Sequence, residues 1–248
     1  MASGRVPIVG PAGDPLLEWM RARLRTQGYE PQLLFPVEGA APISLTPIVA
    51  GLDLWRGAGE ERFEAIAALD ESLPPGRPLL SLCNALSADE AASYAVRGER
   101  VAGFSVFGPP RAGMLAEVLP GLGTESGIVT RAAAFLTGLG FAVETLPPGA
   151  WAVYPRVVAM IVNEAAVAVA EGVASPAGID AALTLGAGYT QGLLALADDI
   201  GLGEILAVLE ALHAEYGDDR YRPAPLLRRL VLAGYTGTSA GRGFHLHP

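Results

Sequence analysis

The first 147 residues alternate between short apolar runs and longer segments whose apolar residues recur at helical spacing. Six runs predict strands, at residues 6–10, 30–37, 45–52, 79–83, 101–107 and 142–146. Four segments predict helices, at residues 15–27, 59–72, 87–97 and 124–139. Asp14 suits the N-cap of the first helix and Pro15 its first turn. Such alternation predicts an α/β domain with a mostly parallel sheet.

The pattern changes at Pro147, Pro148 and Gly149, after which no segment reads as a strand. Apolar periodicity then predicts only helices, at residues 153–172, 175–185, 193–200, 202–216 and 225–233. On the helix predicted at 59–72, the apolar face is expected to contain Phe63, Ile66, Ala67 and Leu69. We therefore predict two domains, an α/β domain over residues 1–147 and an all-helical domain over residues 148–248.

Composition adds constraints on partners and location. Hydrophobic residues make up 51% of the chain, and the formal net charge is −9 without a single lysine. An acidic chain without a basic cluster argues against nucleic-acid binding. The lone cysteine, Cys83, excludes an intrachain disulfide and fits a reducing cytosol, so a cytoplasmic location is expected. The most apolar stretch, residues 157–173, is interrupted by Asn163, Glu164 and Glu171, which predicts a buried helix rather than a membrane span.

Three ordered motifs in the second half carry a family resemblance. They are LGAGYTQGLLALADDIGL at 185–202, YGDDRYRPAPLLRRLVLAG at 216–234 and GTSAGRGFHLHP at 237–248. In this order they resemble the C-terminal domain of the 3-hydroxyacyl-CoA dehydrogenases. The segments at 48–87 and 100–110 are similar to that family's third and fourth strands and its active-site strand. The segment at 35–46 is the least similar part, because an extra helical excursion of the family is missing there.

The resemblance implies a fold and an activity. The fold would be an α/β Rossmann-like N-terminal domain followed by an all-α C-terminal domain, a helical domain like that of 6-phosphogluconate dehydrogenase. The helical domain would pair two subunits into a homodimer. The family transfers hydride between C3 of an acyl-CoA and NAD, so NAD as cofactor and an acyl-CoA ligand are implied.

The turn that would bind NAD departs from the pattern of the family. A Rossmann turn uses three glycines so that the backbone approaches the diphosphate at a helix N-terminus. The candidate cofactor-binding residues here are Gly10, Ala12 and Gly13, with alanine at the second glycine position and Pro15 at the third. Asp14 brings a carboxylate to the phosphates, and the second strand ends in LLFP without the acidic residue that holds the ribose. We therefore expect NAD binding to be weak or absent.

The catalytic positions are altered as well. Ser105 stands where the resemblance places the histidine base, two residues after the glycine that matches Gly103. Glu117 matches the glutamate that pairs with that histidine, and Asn84 matches the family's asparagine after the preceding strand. A serine hydroxyl is no base near neutral pH, whereas a histidine is. The candidate catalytic residues are thus Ser105, Glu117 and Asn84, in an enzyme predicted to be impaired.

The remaining reactive side chains are expected to be structural. Cys83 is predicted to be a buried, unreactive thiol. His213, His245 and His247 are predicted to be ordinary surface residues, and no spacing suggests a metal site. Two other functions stay open beside the impaired dehydrogenase. One is an active NAD(P)-dependent dehydrogenase that uses unusual residues, and the other is a non-catalytic dimeric partner module.

Overall fold

The computed structural model describes residues 4–34 and 46–247. The chain divides into two compact units. Unit 1 extends to Val106 and continues over Pro110–Ala152, and unit 2 contains Phe107–Pro109 and the chain from Val153 onward. The domain limits given above, 1–147 and 148–248, remain a prediction from the sequence.

Unit 1 contains a seven-stranded sheet with the strand order β2-β1-β3-β4-β5-β6-β7. Every neighbouring pair is parallel except β5 with β6, which is antiparallel. The strands are β1 (Gly4–Val9), β2 (Tyr29–Leu33), β3 (Gly51–Asp53), β4 (Leu79–Leu82), β5 (Val101–Ser105), β6 (Leu115–Pro120) and β7 (Ala142–Thr145). The described helices of this unit are α1 (Pro15–Thr26), α2 (Glu60–Ser72), α3 (Ala88–Ser93) and α4 (Ser126–Gly138). The predicted Rossmann-like α/β architecture is confirmed.

Helix α1 begins where the sequence predicts. Asp14 is its N-cap, in an extended conformation, and Pro15 occupies the first turn, where a missing N–H costs nothing. The helix buries Leu17, Met20 and Leu24 against the sheet. The apolar spacing of α1 and its Asp14 cap therefore fix the start of this helix shortly after the end of β1.

Two predictions about unit 1 are wrong, and one strand was not predicted. The run at 45–52 forms a strand only over Gly51–Asp53, with Ile48 in an isolated bridge to Arg5. The antiparallel strand β6 was not predicted. Phe63 is about half exposed and stacks against Tyr94, while the buried face of α2 carries Arg62, Ala65, Ile66, Leu69 and Asp70. The end of the strand predicted at 30–37, from residue 35 onward, and residues 35–45 of the segment at 35–46 lie outside the described residues.

Unit 2 is helical in its described part, as predicted. Its helices are α5 (Val153–Ala170), α6 (Pro176–Ala187), α7 (Leu193–Ile200), α8 (Leu202–Tyr216) and α9 (Pro225–Leu232). Gly201 separates α7 from α8 at a φ of 100°, a conformation that favours glycine. Asn163 of α5 is buried, donating to the Arg222 carbonyl at 3.0 Å and accepting from the Ala224 amide at 2.7 Å.

Helix α5 is long and apolar enough to cross a membrane by length and composition alone, and it is the one such helix among the described residues. Within unit 2 it packs on α8 and α9 through a face that includes Val158, Val162 and Ala166. A buried helix of a globular domain meets the same criterion. The predicted absence of a membrane-spanning segment stays a prediction.

Candidate active site and dinucleotide turn

The three candidate catalytic residues lie on neighbouring strands of unit 1. Ser105 is the last residue of β5 and faces Glu117 of β6 in the antiparallel register, so both side chains point to the same face of the sheet. Asn84 follows the end of β4, the strand on the other side of β5. All three side chains are buried. The structure therefore brings together the residues that the sequence places 21 and 12 positions apart.

The hydroxyl group of Ser105 is hydrogen-bonded to a neighbouring side chain. Its Oγ lies 2.8 Å from Oδ1 of Asn84 and donates to it, since an amide oxygen only accepts. The Nδ2 of Asn84 donates in turn to the Val106 carbonyl at 3.0 Å. The single hydroxyl proton of Ser105 is thus already in a hydrogen bond. The amide oxygen and the amide nitrogen of Asn84 each have a partner.

Oxidation of a secondary alcohol requires a group that accepts the hydroxyl proton near neutral pH. The serine at position 105 does not titrate there, and its lone pairs are far less basic than an imidazole. Glu117 is the carboxylate nearest in the strand register, and it is buried at 4% exposure. The structure thus brings a hydrogen-bonded hydroxyl and a buried carboxylate together at the two positions that the resemblance assigned to a base and its partner.

The predicted dinucleotide turn lies between β1 and α1. Gly10 closely approaches the residue that follows β3, since a Cβ atom there would lie 3.2 Å from Cβ of Leu54. Gly13 has a φ of 76°, a conformation that favours glycine. Asp14 Oδ1 accepts from the amides of Leu16 at 2.8 Å and Leu17 at 3.1 Å. The first-turn amides that bind a diphosphate in a Rossmann domain are therefore bonded to a side chain of the chain itself.

The residues of this turn do not fit a dinucleotide. Pro15 offers no amide, and the Asp14 carboxylate would repel a diphosphate. Asp14 Oδ2 also forms an ion pair with Nε of Arg56 at 3.0 Å. The end of β2, at Leu33 and Leu34, carries no carboxylate for a ribose in its described part. Gly10 and Gly13 keep the geometry of the turn, whereas Ala12 and its neighbours do not supply its binding groups.

Sequence reasoning missed a buried ionic network beside this turn. Asp53 Oδ2 accepts from Nε of Arg62 at 2.9 Å and from Nη2 at 2.8 Å, and both residues are almost fully buried. Ser81 Oγ donates to the same carboxylate oxygen at 2.6 Å. The available signal was a carboxylate at the end of the short apolar strand β3, Asp53, together with an arginine at a helix position next to apolar residues, Arg62. Burial raises the pKa of the Asp53 carboxyl, and the Arg62 guanidinium opposes that shift.

Cys83 lies next to this network. It is buried, and desolvation raises the pKa of its thiol to about 12. A thiol that stays protonated has no nucleophilic character. The structure therefore supports the prediction of an unreactive cysteine.

The prediction for two of the histidines is wrong. His245 Nε2 lies 2.9 Å from Oδ2 of Asp180, and His247 Nε2 lies 2.9 Å from Oδ2 of Asp198. Asp198 also accepts from the backbone amides of Phe244 and His245. These pairs attach the last described segment to α6 and α7. Over residues 4–34 and 46–247, no three His, Cys, Asp or Glu side chains are grouped as metal ligands.

Comparison with known proteins connects this architecture to one family. Residues 153–247 match the family model described as 3-hydroxyacyl-CoA dehydrogenase, C-terminal domain. A probable 3-hydroxybutyryl-CoA dehydrogenase of Bacillus subtilis is 38% identical over 182 residues, which cover 73% of this chain and 63% of that protein. The 3-hydroxybutyryl-CoA dehydrogenase of Bradyrhizobium diazoefficiens is 33% identical over 70% of this chain and 59% of its own length. The matched region thus spans less than two thirds of these relatives.

Solved structures agree on the fold over the full chain. FadB2 of M. tuberculosis superposes with a TM-score of 0.86 at 22% identity, covering 100% of both chains. The (S)-3-hydroxybutyryl-CoA dehydrogenase PaaH1 of Ralstonia eutropha gives a TM-score of 0.75 at 24% identity, over 98% of this chain and 99% of its own. With the strand order of unit 1, the helices of unit 2 and the matched C-terminal domain, the chain belongs to the 3-hydroxyacyl-CoA dehydrogenase family.

Proposed function

We propose that this chain is a 3-hydroxyacyl-CoA dehydrogenase-like protein of fatty-acid metabolism whose NAD-dependent oxidation is lost or much reduced and which still binds an acyl-CoA. The observation that carries the proposal is the Ser105 to Asn84 hydrogen bond at 2.8 Å. It supports the proposal because Ser105, at the position that the resemblance assigns to the base, already donates its only hydroxyl proton to Asn84. The names of the relatives, 3-hydroxybutyryl-CoA dehydrogenases, support the acyl-CoA as the ligand class.

The size of the defect follows from general acid–base chemistry. A positioned base accelerates proton transfer by about 10² to 10⁴-fold, so its loss alone removes most of the turnover. Glu117 shares the sheet face with Ser105 and is the remaining carboxylate of the site. Glu117 is the residue paired with Ser105 in the β5–β6 register, so residual activity, if measured, should depend on it.

The test combines turnover with separate binding measurements. Acetoacetyl-CoA reduction is followed by NADH absorbance, and acetoacetyl-CoA binding by calorimetry. We expect acyl-CoA binding without turnover. Ser105→His alone should not restore activity, because the dinucleotide turn is altered as well. Turnover by the unmodified protein at a rate ordinary for such dehydrogenases would refute the proposal.

Two alternatives have distinct signatures in the same assays. An active NAD(P)-dependent dehydrogenase with unusual residues would turn over, and Glu117→Gln would abolish that turnover. A non-catalytic partner module would bind neither acetoacetyl-CoA nor NADH. The proposed function requires the intermediate result, in which the acyl-CoA binds and the reaction does not proceed.

We further propose that the chain forms a homodimer through unit 2. Helix α6 is rich in apolar residues, yet the only buried side chain among its residues is that of Asp180. Gly178, Ala181, Ala182 and Leu185 follow one another at helical spacing, and all four are exposed. Small residues allow two helices to approach closely, and an exposed leucine beside them supplies apolar contact area. A second copy of the same face is the simplest partner, because two-fold symmetry pairs a surface with itself.

The dimer is tested by light scattering at micromolar concentration. Leu185 is 89% exposed, and replacing it by glutamate places one charge per subunit in the proposed contact. Losing one buried leucine from each subunit, at roughly 2 kcal/mol per leucine, removes about 4 kcal/mol and weakens association by roughly 10³-fold. Leu122→Glu is the matched control, since Leu122 is 80% exposed in unit 1. A monomeric unmodified protein, or equal effects of both variants, would contradict the proposal.

A cytoplasmic location completes the proposal. It is supported by the single, buried cysteine and by the packing of one face of the apolar helix α5 on α8 and α9. Fractionation of cells that express the full gene tests it. Recovery of the protein in the membrane fraction after a salt wash would contradict it.

A further inference from the structure

We propose that the Asp14 carboxylate is a permanent internal substitute for the coenzyme diphosphate, held in place by Arg56, so that the β1–α1 turn excludes dinucleotides. This inference deepens the proposed function and rests on it only in part, because it concerns binding rather than turnover. Three observations carry it. They are the amide contacts of Asp14, its ion pair with Arg56, and the contacts that fix the loop on which Arg56 lies.

The first observation is the position of the carboxylate. In a Rossmann domain the first-turn amides after β1 and the positive end of the helix dipole attract the diphosphate. Here those amides, of Leu16 and Leu17, already donate to Oδ1 of Asp14. The side chain of Asp14 is only 11% exposed. An anion that competed for the same amides would have to displace a carboxylate that belongs to a residue only two and three positions earlier in the chain.

The second observation is the cation that faces this carboxylate. Arg56 Nε lies 3.0 Å from Oδ2 of Asp14, so the two oxygens of the carboxylate have different partners. Arginine is the residue that commonly binds phosphate oxygens. In this chain its guanidinium lies at a helix N-terminus and neutralises a side chain there. Asp14 and Arg56 together thus reproduce, within one chain, the contacts that a diphosphate and its binding site make.

The third observation is the rigidity of the loop after β3 that carries Arg56. The amide of Trp55 donates to Oδ1 of Asp53 at 3.0 Å. On the other side of Arg56, the Gly57 carbonyl accepts from Nη1 of Arg62 at 2.6 Å. Asp53 and Arg62 are themselves joined by the buried ion pair. They are positioning residues, since they fix the backbone on both sides of Arg56 without contacting Asp14.

The topology explains why this arrangement closes the turn. β1 and β3 are adjacent parallel strands, so the loops that follow them emerge side by side at the carboxyl edge of the sheet. Dinucleotides bind at this edge in open α/β sheets. The Asp14–Arg56 ion pair connects the two loops directly. A bound dinucleotide would contact both loops. In this chain the Asp14–Arg56 ion pair joins them instead.

The experiment measures binding of ADP, NADH and inorganic pyrophosphate by calorimetry at low ionic strength. We compare the unmodified protein with Asp14→Gly and Asp14→Ser. The serine variant keeps an N-cap hydroxyl and therefore the helix, so it removes the charge alone, whereas the glycine variant also frees the amides of Leu16 and Leu17. Where the glycine variant is unstable, the serine variant decides the result, because the expected gain rests on removal of the charge. We expect no binding to the unmodified protein at 1 mM ligand, and a gain of at least about tenfold in affinity for pyrophosphate and ADP after removal of the charge.

Two further variants make the result specific. Adding Arg56→Gln to Asp14→Ser should reverse most of the gain, because the guanidinium then no longer faces the anion. Glu18→Gln is the matched control, since Glu18 lies in the first turn of α1 but pairs with Arg21 on the surface. It removes the same charge and should leave binding unchanged.

Three outcomes overturn the inference. One is NADH or ADP binding to the unmodified protein as tight as to the Asp14 variants. Another is the absence of anion binding in both Asp14 variants while they remain folded by tryptophan fluorescence. The third is an equal gain in Glu18→Gln, which would indicate a general charge effect. Dinucleotide binding without turnover would contradict this inference alone, whereas acetoacetyl-CoA turnover contradicts the proposed function.

Discussion

Replacing Arg62 by methionine should strongly destabilise unit 1. The guanidinium makes two hydrogen bonds to Asp53 Oδ2, at 2.9 and 2.8 Å, and one each to the Ser81 hydroxyl at 2.9 Å, the Leu82 carbonyl at 2.6 Å and the Gly57 carbonyl at 2.6 Å. Arg62 is only 2% exposed and Asp53 is fully buried. Methionine fills most of the arginine volume, so the change removes the charge and the hydrogen bonds rather than opening a large cavity.

The magnitude follows from the charge that is left behind. Breaking a buried ion pair by removing one partner costs about 3–5 kcal/mol, because the remaining charge stays in a low dielectric without compensation. Natural domains are stable by only about 5–15 kcal/mol, so this loss is a large fraction of the total. At a urea dependence of about 2 kcal/mol per M, the unfolding midpoint should fall by about 2 M.

The deficit should also depend on pH. Burial raises the pKa of the Asp53 carboxyl, and the Arg62 guanidinium opposes that rise, so the variant raises it further. For an acid whose folded-state pKa is raised, stability is fully present below the unfolded-state pKa and is lost as the pH rises through the folded-state pKa. Arg62→Met should therefore be less destabilised at acidic pH, where Asp53 takes up a proton, than at about pH 8.

Tryptophan fluorescence is a suitable probe for this experiment. The three tryptophans of the chain are Trp19, Trp55 and Trp151, and all lie in unit 1. Urea titrations at two pH values then report on this unit alone. Glu18→Gln is the control, since it removes an exposed pair that is worth less than about 1 kcal/mol.

The double variant Asp53→Asn, Arg62→Met sharpens the test. It leaves no uncompensated buried charge, so it should be more stable than Arg62→Met alone at about pH 8. A loss below about 1 kcal/mol in the single variant, or a deficit that shrinks as the pH rises, would show that the carboxylate is not the source of the effect.

Two other predictions concern the core of each unit. Cys83, with a thiol pKa of about 12 and 1% exposure, should resist iodoacetamide at about pH 8 in the folded protein and react fully in urea, as mass spectrometry would show; rapid labelling without urea would contradict its burial. Gly237→Ala should destabilise unit 2 by more than about 3 kcal/mol in thermal melts followed by circular dichroism, because the position has a φ of 116° and a Cβ would overlap the Asp198 backbone. Gly203→Ala is its control, since Gly203 lies in α8 with nothing within 4 Å of the added Cβ, and it should be neutral or stabilising.

Local signals in the sequence determined much of this fold. Helices α7 and α8 have the predicted limits because apolar periodicity and Gly201 act over a few residues. The N-cap role of Asp14 follows in the same way from its place before Pro15. The family resemblance, carried by the C-terminal motifs and by the segments at 48–87 and 100–110, predicted the architecture and named Ser105, Glu117 and Asn84 as candidate site residues. The helix cap, the apolar periodicity and the sequence motifs each depend only on residues close together in the chain.

Only the tertiary structure decided the contacts that join distant residues. Strand β6 is recognised by its antiparallel pairing with β5. Strand β3 has only three residues, fewer than the predicted run, because a strand extends only as far as its neighbours pair with it. Arg62 is buried in an ion pair with Asp53, whereas the neighbouring Phe63 is about half exposed. Arg56 forms an ion pair with Asp14, which lies 42 residues earlier in the chain. A charge stays buried only where another segment supplies its partner, and no local pattern shows which segment that is.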